Sequence, residues 1–338
     1  MSNAILAISI IWMFVFMYAI LGSVDFGAGF WGMVYGRLKD NRAGALANRF
    51  LSPTWEVTNV FLVMLVVTLV VFFPSAVTSL ALALLLPGSL VLILLTIRSA
   101  LMVFAYSAPR FQNALSIVSG TTGLLIPALL VLVLPVVAGG FIDPADGRLL
   151  TGKLFSSRVT YTYLAFGLAS ELFLSAAFLA DYSREAEDEE AYLVFRRHAI
   201  WLGPLTLLVG MVTVLSMGPE AGWLRANISE NSGWFLASAT AFLFGYSAYW
   251  WKTKRGQGAP RIAFTAFILQ FVLASYAYGV SHLPYMIYPA LTLQEGITNP
   301  SIFRSLLISY AIGLAILVPG FYLFWRLFLK DKRYLNRG

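Results

Sequence analysis

Apolar residues run along this chain in long unbroken blocks rather than alternating with polar ones. The blocks fall at about 4–35, 57–73, 76–106, 115–139, 159–180, 199–218, 233–250, 262–288 and 305–329. Alternation would mark half-buried strands, whereas continuous runs of this length mark helices apolar on every side. A helix needs roughly 20 apolar residues to cross the hydrocarbon core of a bilayer. Backbone groups in lipid must bond internally, which leaves helices or closed barrels, and unbroken runs favour helices. The pattern predicts an all-α fold: a polytopic integral membrane protein with about nine transmembrane helices in a single domain, 1–338.

The breaks between blocks refine this reading. Pro74-Ser75 is very short, so the second and third spans should form a tight antiparallel hairpin. The first, third and eighth blocks are long enough to tilt, kink or project beyond the lipid. The acidic run Asp181–Glu190 (DYSREAEDEE) reads as a solubilising surface turn or helix extension. The N-terminal MSNAILAISIIWMFVFMYAI has no basic n-region and no small-residue cleavage site, so it is expected to be the first span rather than a removable signal. No sequence repeat stands out.

Composition agrees with the pattern. The chain is 59% hydrophobic and 12% charged, with a mean hydropathy of +0.79. Soluble domains carry roughly 25% charged residues. The net charge of +7 sits in short loops, as a membrane charge bias and not a nucleic-acid footprint. With nine spans, one face collects 17 of the Lys and Arg residues, among them Arg37, Lys39, Arg184, Arg196, Lys252, Arg255 and Lys330, and the other face five: Arg148, Lys153, Arg158, Arg225 and Arg304. Basic loops stay in the cytoplasm, so the N-terminus is expected outside and the C-terminus inside. Eight of the nine tryptophans, all but Trp12, fall near predicted span ends, where an aromatic belt would place them. There is no cysteine, which excludes disulfides, thiolate chemistry and iron–sulfur clusters.

Ionisable residues inside spans are costly and therefore informative. Four stand out: Asp25, Glu56, Arg98 and Glu171. Counted along their helices at about 1.5 Å per residue, Asp25, Glu56 and Arg98 share one depth near the cytoplasmic face. Two carboxylates and one guanidinium leave one negative charge over. Such a carboxylate can exchange protons or bind a cation, and the competing reading is a structural ion pair or helix cap. Glu171 falls roughly 18 Å into its span, near the midplane, with no basic residue within a turn. It must be neutral, water-lined, or paired with another helix or subunit. Gly32 and Gly36 form a small-residue pair suited to close helix packing. The two histidines, His198 and His282, fall at opposite membrane faces, so they cannot share one haem iron and read as interfacial residues. No phosphate loop, nucleophile–base triad or metal-ligand cluster is visible.

The stretch GSVDFGAGFWG resembles the first-helix motif of subunit II of the cytochrome bd-type quinol oxidases, with Asp25, Gly27 and Gly29 in the D-x-G-x-G positions. SPTWEVTNVFL is similar to the start of that family's second helix through Pro53, Trp55 and Glu56. Arg98, Phe104 and Tyr106 resemble the Arg…Phe-x-Tyr end of its third helix, and GLLIPALLVLVLPVVAGG its fourth. The chain departs from the pattern at Val24, where a glycine is usual, at Glu56, where Asp is usual, and at Val57-Thr58, where Gly-Asn is usual. The resemblance implies two four-helix bundles plus one peripheral helix. It implies a haem-free subunit II that supports a haem-bearing subunit I carrying haem b and haem d and the quinol site, in a bacterial cytoplasmic membrane. Membrane lipid, quinone and a small accessory subunit are further expected partners; a nucleic acid is not. The complex would oxidise quinol and reduce O2 to water with cytoplasmic protons, and Asp25 and Glu56 would serve that uptake. The rival reading is a stand-alone secondary transporter using intramembrane carboxylates, Asp25 and Glu171 among them; such folds usually show repeats and broken midplane helices.

Overall fold

The computed structural model describes residues 3–36, 42–105, 112–143, 146–254, 256–298 and 300–324. Side chains at 49–56 and 103–105 lie outside that description, as do those at 112–113, 300, 321 and 324. The expectations that rest on the side chains of Pro53, Trp55, Glu56, Phe104 and Tyr106, and on Arg37, Lys39, Arg255 and Lys330, therefore fall outside the described residues.

Among the described residues the apolar blocks become helix, save the end of the eighth, which enters a short strand. The elements are α1 (Asn3–Gly36), α2 (Arg42–Phe72), α3 (Pro74–Ala83), α4 (Leu85–Ala105), α5 (Gln112–Val131), α6 (Val133–Ala138) and α7 (Thr151–Ser156). They continue with α8 (Arg158–Glu185), α9 (Glu189–Ser216), α10 (Gly222–Glu230), α11 (Ser232–Ser247), α12 (Pro260–Ser281), α13 (Leu293–Gly296) and α14 (Pro300–Phe324). Two small antiparallel hairpins, β1 (Lys252–Thr253) with β2 (Gly256–Gln257) and β3 (Tyr285–Ile287) with β4 (Leu291–Thr292), sit in loops.

Among the described residues, seven helices are long and apolar enough to cross a membrane, and an eighth span is added if the bent pair of α2 and α3 counts as one. The seventh block forms α11, which at 16 residues is shorter than those. The expected nine is thus not reached by length and composition alone. At Phe73 the chain turns by 119° between α2 and α3. Pro74 opens α3, where its missing N–H costs no helical bond. The third block is therefore a short angled helix followed by α4, not one long span.

Packing follows the order expected of two bundles. α1 lies against α2 and α5, and α4 against α5; α8 lies against α9 and α12, and α11 against α12. α1 joins the groups by also packing on α8. α14 touches α1 and α2 lightly and exposes Ile308, Ile312, Ile316 and Tyr322. That is the peripheral position. A core of small and aromatic residues (Ala28, Trp31, Ala47, Phe173, Ala176, Phe195, Phe267) runs through the junction. Hydrocarbon tails are as apolar as Leu, so dispersion and close backbone approach, not exclusion of water, hold such helices together.

The loops sort onto two ends. The Tyr288 amide donates to the Val137 carbonyl, Trp223 Nε1 to Ala138 and Asn227 Nδ2 to Ser281, so segments near 138, 223 and 288 share one end. The N-terminal turns of α1 join them, since Ala4 and Ala7 pack with Phe72, Phe73 and Leu293. At the opposite end, Arg184 and Tyr192 both donate to the Gln257 carbonyl, and Arg196 to that of Tyr249. The acidic run begins as the expected helix extension and ends in an exposed turn, but its first four residues, 181–184, are buried. α8 continues to Glu185, and Glu187 (φ 59) turns the chain into α9. Asp181 is buried and bonded to Arg261 at 2.7 Å, while Arg184 stacks 3.6 Å over the Tyr192 ring. From there on the acids face outward: Glu185, Glu187, Glu189 and Glu190 are exposed.

Candidate functional site

The centre of the first bundle holds a charged pair. Arg98 on α4 and Asp25 on α1 are each only 3% exposed and meet through Nη2 and Oδ2 at 3.3 Å. Arg98 Nη2 also donates to the Asp25 carbonyl at 3.2 Å, and Nη1 to the Ser119 carbonyl on α5 at 2.7 Å. The guanidinium lies 5.0 Å over the Phe26 ring. One arginine thus ties three helices together. A buried ion pair contributes little net stability, but a lone buried charge is strongly destabilising. The two residues therefore depend on each other.

The glycine pattern after Asp25 makes room for this arrangement. A Cβ on Gly29 would lie 3.1 Å from Arg98 Nη1 and 2.9 Å from Ser119 Oγ. A Cβ on Gly27, on the other side of α1, would collide with the Ser175 side chain and lie 3.3 Å from the Glu171 carbonyl on α8. On α5, a Cβ on Gly123 would lie 2.5 Å from the Phe26 carbonyl. The D-x-G-x-G spacing is a packing device: the aspartate takes the cation, and the glycines admit α8 on one face and Arg98 with α5 on the other.

Glu56 is placed by its backbone alone. Gly44 lies beside Gly36, Asn48 beside Gly32 and Thr58 beside Gly22. This antiparallel register sets residue 56 of α2 level with residues 24–25 of α1. The shared depth expected for Asp25, Glu56 and Arg98 is thus present in the backbone.

Glu171 departs from its expected place. It is 1% exposed, and neither carboxyl oxygen has a hydrogen-bond partner among the described residues. It does not stand alone at a separate depth. Gly27, whose Cβ position reaches its carbonyl, is two residues from Asp25, roughly 3 Å along α1. Arg98 is close enough to act on it electrostatically. The cause of the misplacement is helix length: α1 has 34 residues, about 51 Å, against roughly 30 Å of hydrocarbon. Depth counted from its N-terminus therefore carries Asp25 too far toward the opposite face. Tyr18 Oη, Ser119 Oγ, Ser170 Oγ and Arg98 Nε are also buried without partners among the described residues. Sequence reading missed Ser119, Ser170 and Tyr18, because an isolated hydroxyl in an apolar block carries no distinguishing signal.

The histidines occupy opposite ends. His198 on α9 is bonded through Nε2 to Tyr35 Oη and lies 4.5 Å from the Trp31 ring. His282, just past α12, has Nδ1 3.0 Å from the Tyr285 carbonyl and packs against Trp223 and Tyr278. Trp12 of α1 reaches Ser275 and Tyr278 near His282, while Tyr35 reaches His198. Twenty-three residues of helix, about 35 Å, separate those anchors. His198 spends its Nε2 on Tyr35, and aromatic rings enclose His282. The two do not fit a shared haem. Among the described residues, no three His, Asp or Glu gather where they could hold a metal ion.

Fold and site together define a multi-pass helical membrane protein with a charged cluster at the junction of its bundles. The family model for cytochrome bd terminal oxidase subunit II matches residues 3–328. A Bacillus subtilis (strain 168) protein provisionally named cytochrome bd menaquinol oxidase subunit II is 47% identical over 341 residues, covering 99% of this chain and 98% of its relative. The solved bd oxidase from Geobacillus thermodenitrificans contains a chain that superimposes with a TM-score of 0.83 at 34% identity, covering 98% of this chain and all of that one. This chain belongs to the cytochrome bd terminal oxidase subunit II family. It is a subunit of an oxidoreductase complex of the respiratory chain, and a subunit II implies a subunit I partner. The match runs the length of the chain, which displaces the transporter reading.

Proposed function

We propose that this chain is the haem-free subunit of a quinol:O2 oxidase of the bacterial cytoplasmic membrane, with its N-terminus outside and C-terminus inside. It supports assembly of a subunit I that carries haem b and haem d, and it helps bring cytoplasmic protons to that partner through Asp25 and Glu56. The Bacillus subtilis relative's name supports a menaquinol as the electron donor. Lipid, quinone and a small accessory subunit are further partners in this reading. The separation of His198 from His282, and the engagement of each with neighbours in this chain, support the haem-free part.

The observation that carries proton uptake is the buried Asp25–Arg98 pair level with residue 56. Haem in the partner would pass electrons from the quinol to O2. The role of this chain is to hold protons at carboxyl oxygens on the way. A carboxylate held between a fixed cation and a second acid changes protonation state readily, which suits it to a relay. Asp25→Asn keeps size and polarity but removes titration. Asp25→Asn with Glu56→Gln should slow O2 consumption and charge translocation in the purified complex while haem content stays normal. Unchanged turnover and uptake in the double variant would place the route wholly in subunit I.

A further inference from the structure

Glu171 is the most deeply buried acid among the described residues, and the ion pair beside it leaves it out. α8 packs on α1, α5, α6, α7, α9 and α12. From α1 the titratable groups are Tyr18, Asp25 and Tyr35; from α4, across α5, Arg98; from α7, Lys153; from α9, Glu189, Glu190, Tyr192, Arg196, Arg197 and His198, all in its first three turns; from α12, Arg261, Tyr276 and Tyr278. Lys153 faces the Phe141 ring at the loop end of the bundle, and Arg196, Arg261 and His198 are bonded at the other end. Tyr163 pairs with Tyr278 away from the cluster. Among the described side chains, the charged groups at the level of Gly27 are Arg98, Asp25 and Glu171.

One guanidinium therefore faces two acids. It is committed to Asp25, and its Nε has no partner among the described residues. An ionised, unpaired carboxylate in such a place costs several kcal/mol. A neutral carboxylic acid costs far less and can donate to a neighbouring hydroxyl, such as Ser170 or a water. Two ionised acids would leave the cluster with one excess negative charge.

We propose that Glu171 is the second proton-holding carboxyl of this cluster. It is neutral while Arg98 is paired with Asp25, and it takes over the pairing when Asp25 gains a proton. In the resting state Asp25 is an anion, Arg98 a cation and Glu171 an acid. A proton arriving at Asp25 forms an O–H bond on its carboxylate. Arg98 keeps all its protons and turns toward Glu171, whose O–H bond breaks, releasing one proton to the side away from Asp25. One proton enters and one leaves: the cluster carries one extra positive charge between the two events, which drives the release, and is neutral before and after them. The unpartnered Nε, Tyr18 Oη, Ser119 Oγ and Ser170 Oγ surround this exchange and are suited to hold the waters that carry it. The release step rests on the proton-uptake reading above; the resting protonation of Glu171 does not.

Infrared spectroscopy of the purified two-subunit oxidase at neutral pH tests this. Wild type minus Glu171→Gln should show a protonated-carboxyl C=O stretch that is absent from the variant, and Asp25→Asn, which takes the anion away from Arg98, should lose the same band as Glu171 ionises; a band kept in Asp25→Asn would overturn the exchange of pairing. Glu171→Asp, which keeps an acid in place if the amide variant assembles poorly, should shift that band without removing it. No such difference band, or one unshifted in Glu171→Asp, would overturn the proposal. The band is read without turnover. If Asp25→Asn leaves proton uptake intact while the wild-type band is present, the uptake reading fails and the protonated Glu171 stands.

Discussion

At the residue scale, the first-helix motif is a set of space requirements around one cation. Gly27 shows this most directly. Any Cβ there meets Ser175, whose Oγ accepts from Trp31 Nε1 at 2.9 Å, so the neighbour cannot turn away without breaking a buried bond. Gly27→Ala should lower the stability of the subunit by about 1–3 kcal/mol, the usual cost of overpacking. Adding Ser175→Gly, which removes the obstructing Cβ, should restore much of the assembled complex. Yield of haem-loaded oxidase and its thermal midpoint measure both effects. A double variant no better than the single one would show that Gly27 serves something other than room for α8. Asp25, Gly27, Gly29 and Arg98 were all legible in sequence as a motif and an intramembrane cation. Their mutual contact was not, because Arg98 comes from a block more than 70 residues away.

At the element scale, breaks and loop ends decide how the spans meet. Continuous apolarity predicted one helix over 76–106, yet the chain forms α3 and α4 with a 119° turn behind them. Hydrophobicity sets that a segment avoids water; it does not set its direction. The same limit applied to Asp181–Glu190, where charge suggested a solvated turn. Arg261 and Tyr192, both distant in sequence or one helix on, supply the partners that bury Asp181 and Arg184. At the other end, α13 opens with a capping box: Thr292 donates from its backbone and side chain to Glu295, at 2.9 and 2.7 Å. These bonds favour the carboxylate, so burial's opposing effect is outweighed and Glu295 is held below its ordinary value. A depressed acid adds stability above its unfolded pKa, about 4.3, and loses it as pH falls through the folded value. Glu295→Ala should therefore make the 291–297 loop more open to protease at neutral pH, and the difference from wild type should vanish below about pH 3. A difference that persists in acid would mean that Glu295 acts through packing instead of charge.

At the scale of the whole molecule, topology is the quantity that sequence and structure approach from different sides. Charge counting assigned loops to two faces, and hydrogen bonds gather the same loops at two ends. The chain has no cysteine, so single cysteines can be read one at a time. Cysteines replacing Ser232 or Asp146 should react with a membrane-impermeant maleimide in intact cells, whereas those replacing Glu187 or Thr253 should react only after lysis. All four positions are exposed to solvent in the subunit. Reversal of the two pairs would invert the orientation of the chain and move Asp25 and Glu56 away from cytoplasmic supply.

Sequence alone determined the solvent this protein lives in, the helical class of nearly every block, the sorting of its loops and the motif that marks its family. Those properties depend on local composition and on charge near span ends, which a linear chain displays. Tertiary structure alone decided which buried charges meet. Arg98 chose Asp25, left Glu171 without a hydrogen-bond partner among the described residues, and drew Ser119 into the same cluster. Depth counted along one helix could not foresee this, because α1 overshoots the bilayer and neighbouring helices are offset from it. The energy of a charge in lipid is set by what stands within a few ångströms, and only the packing of separate helices brings those groups that close.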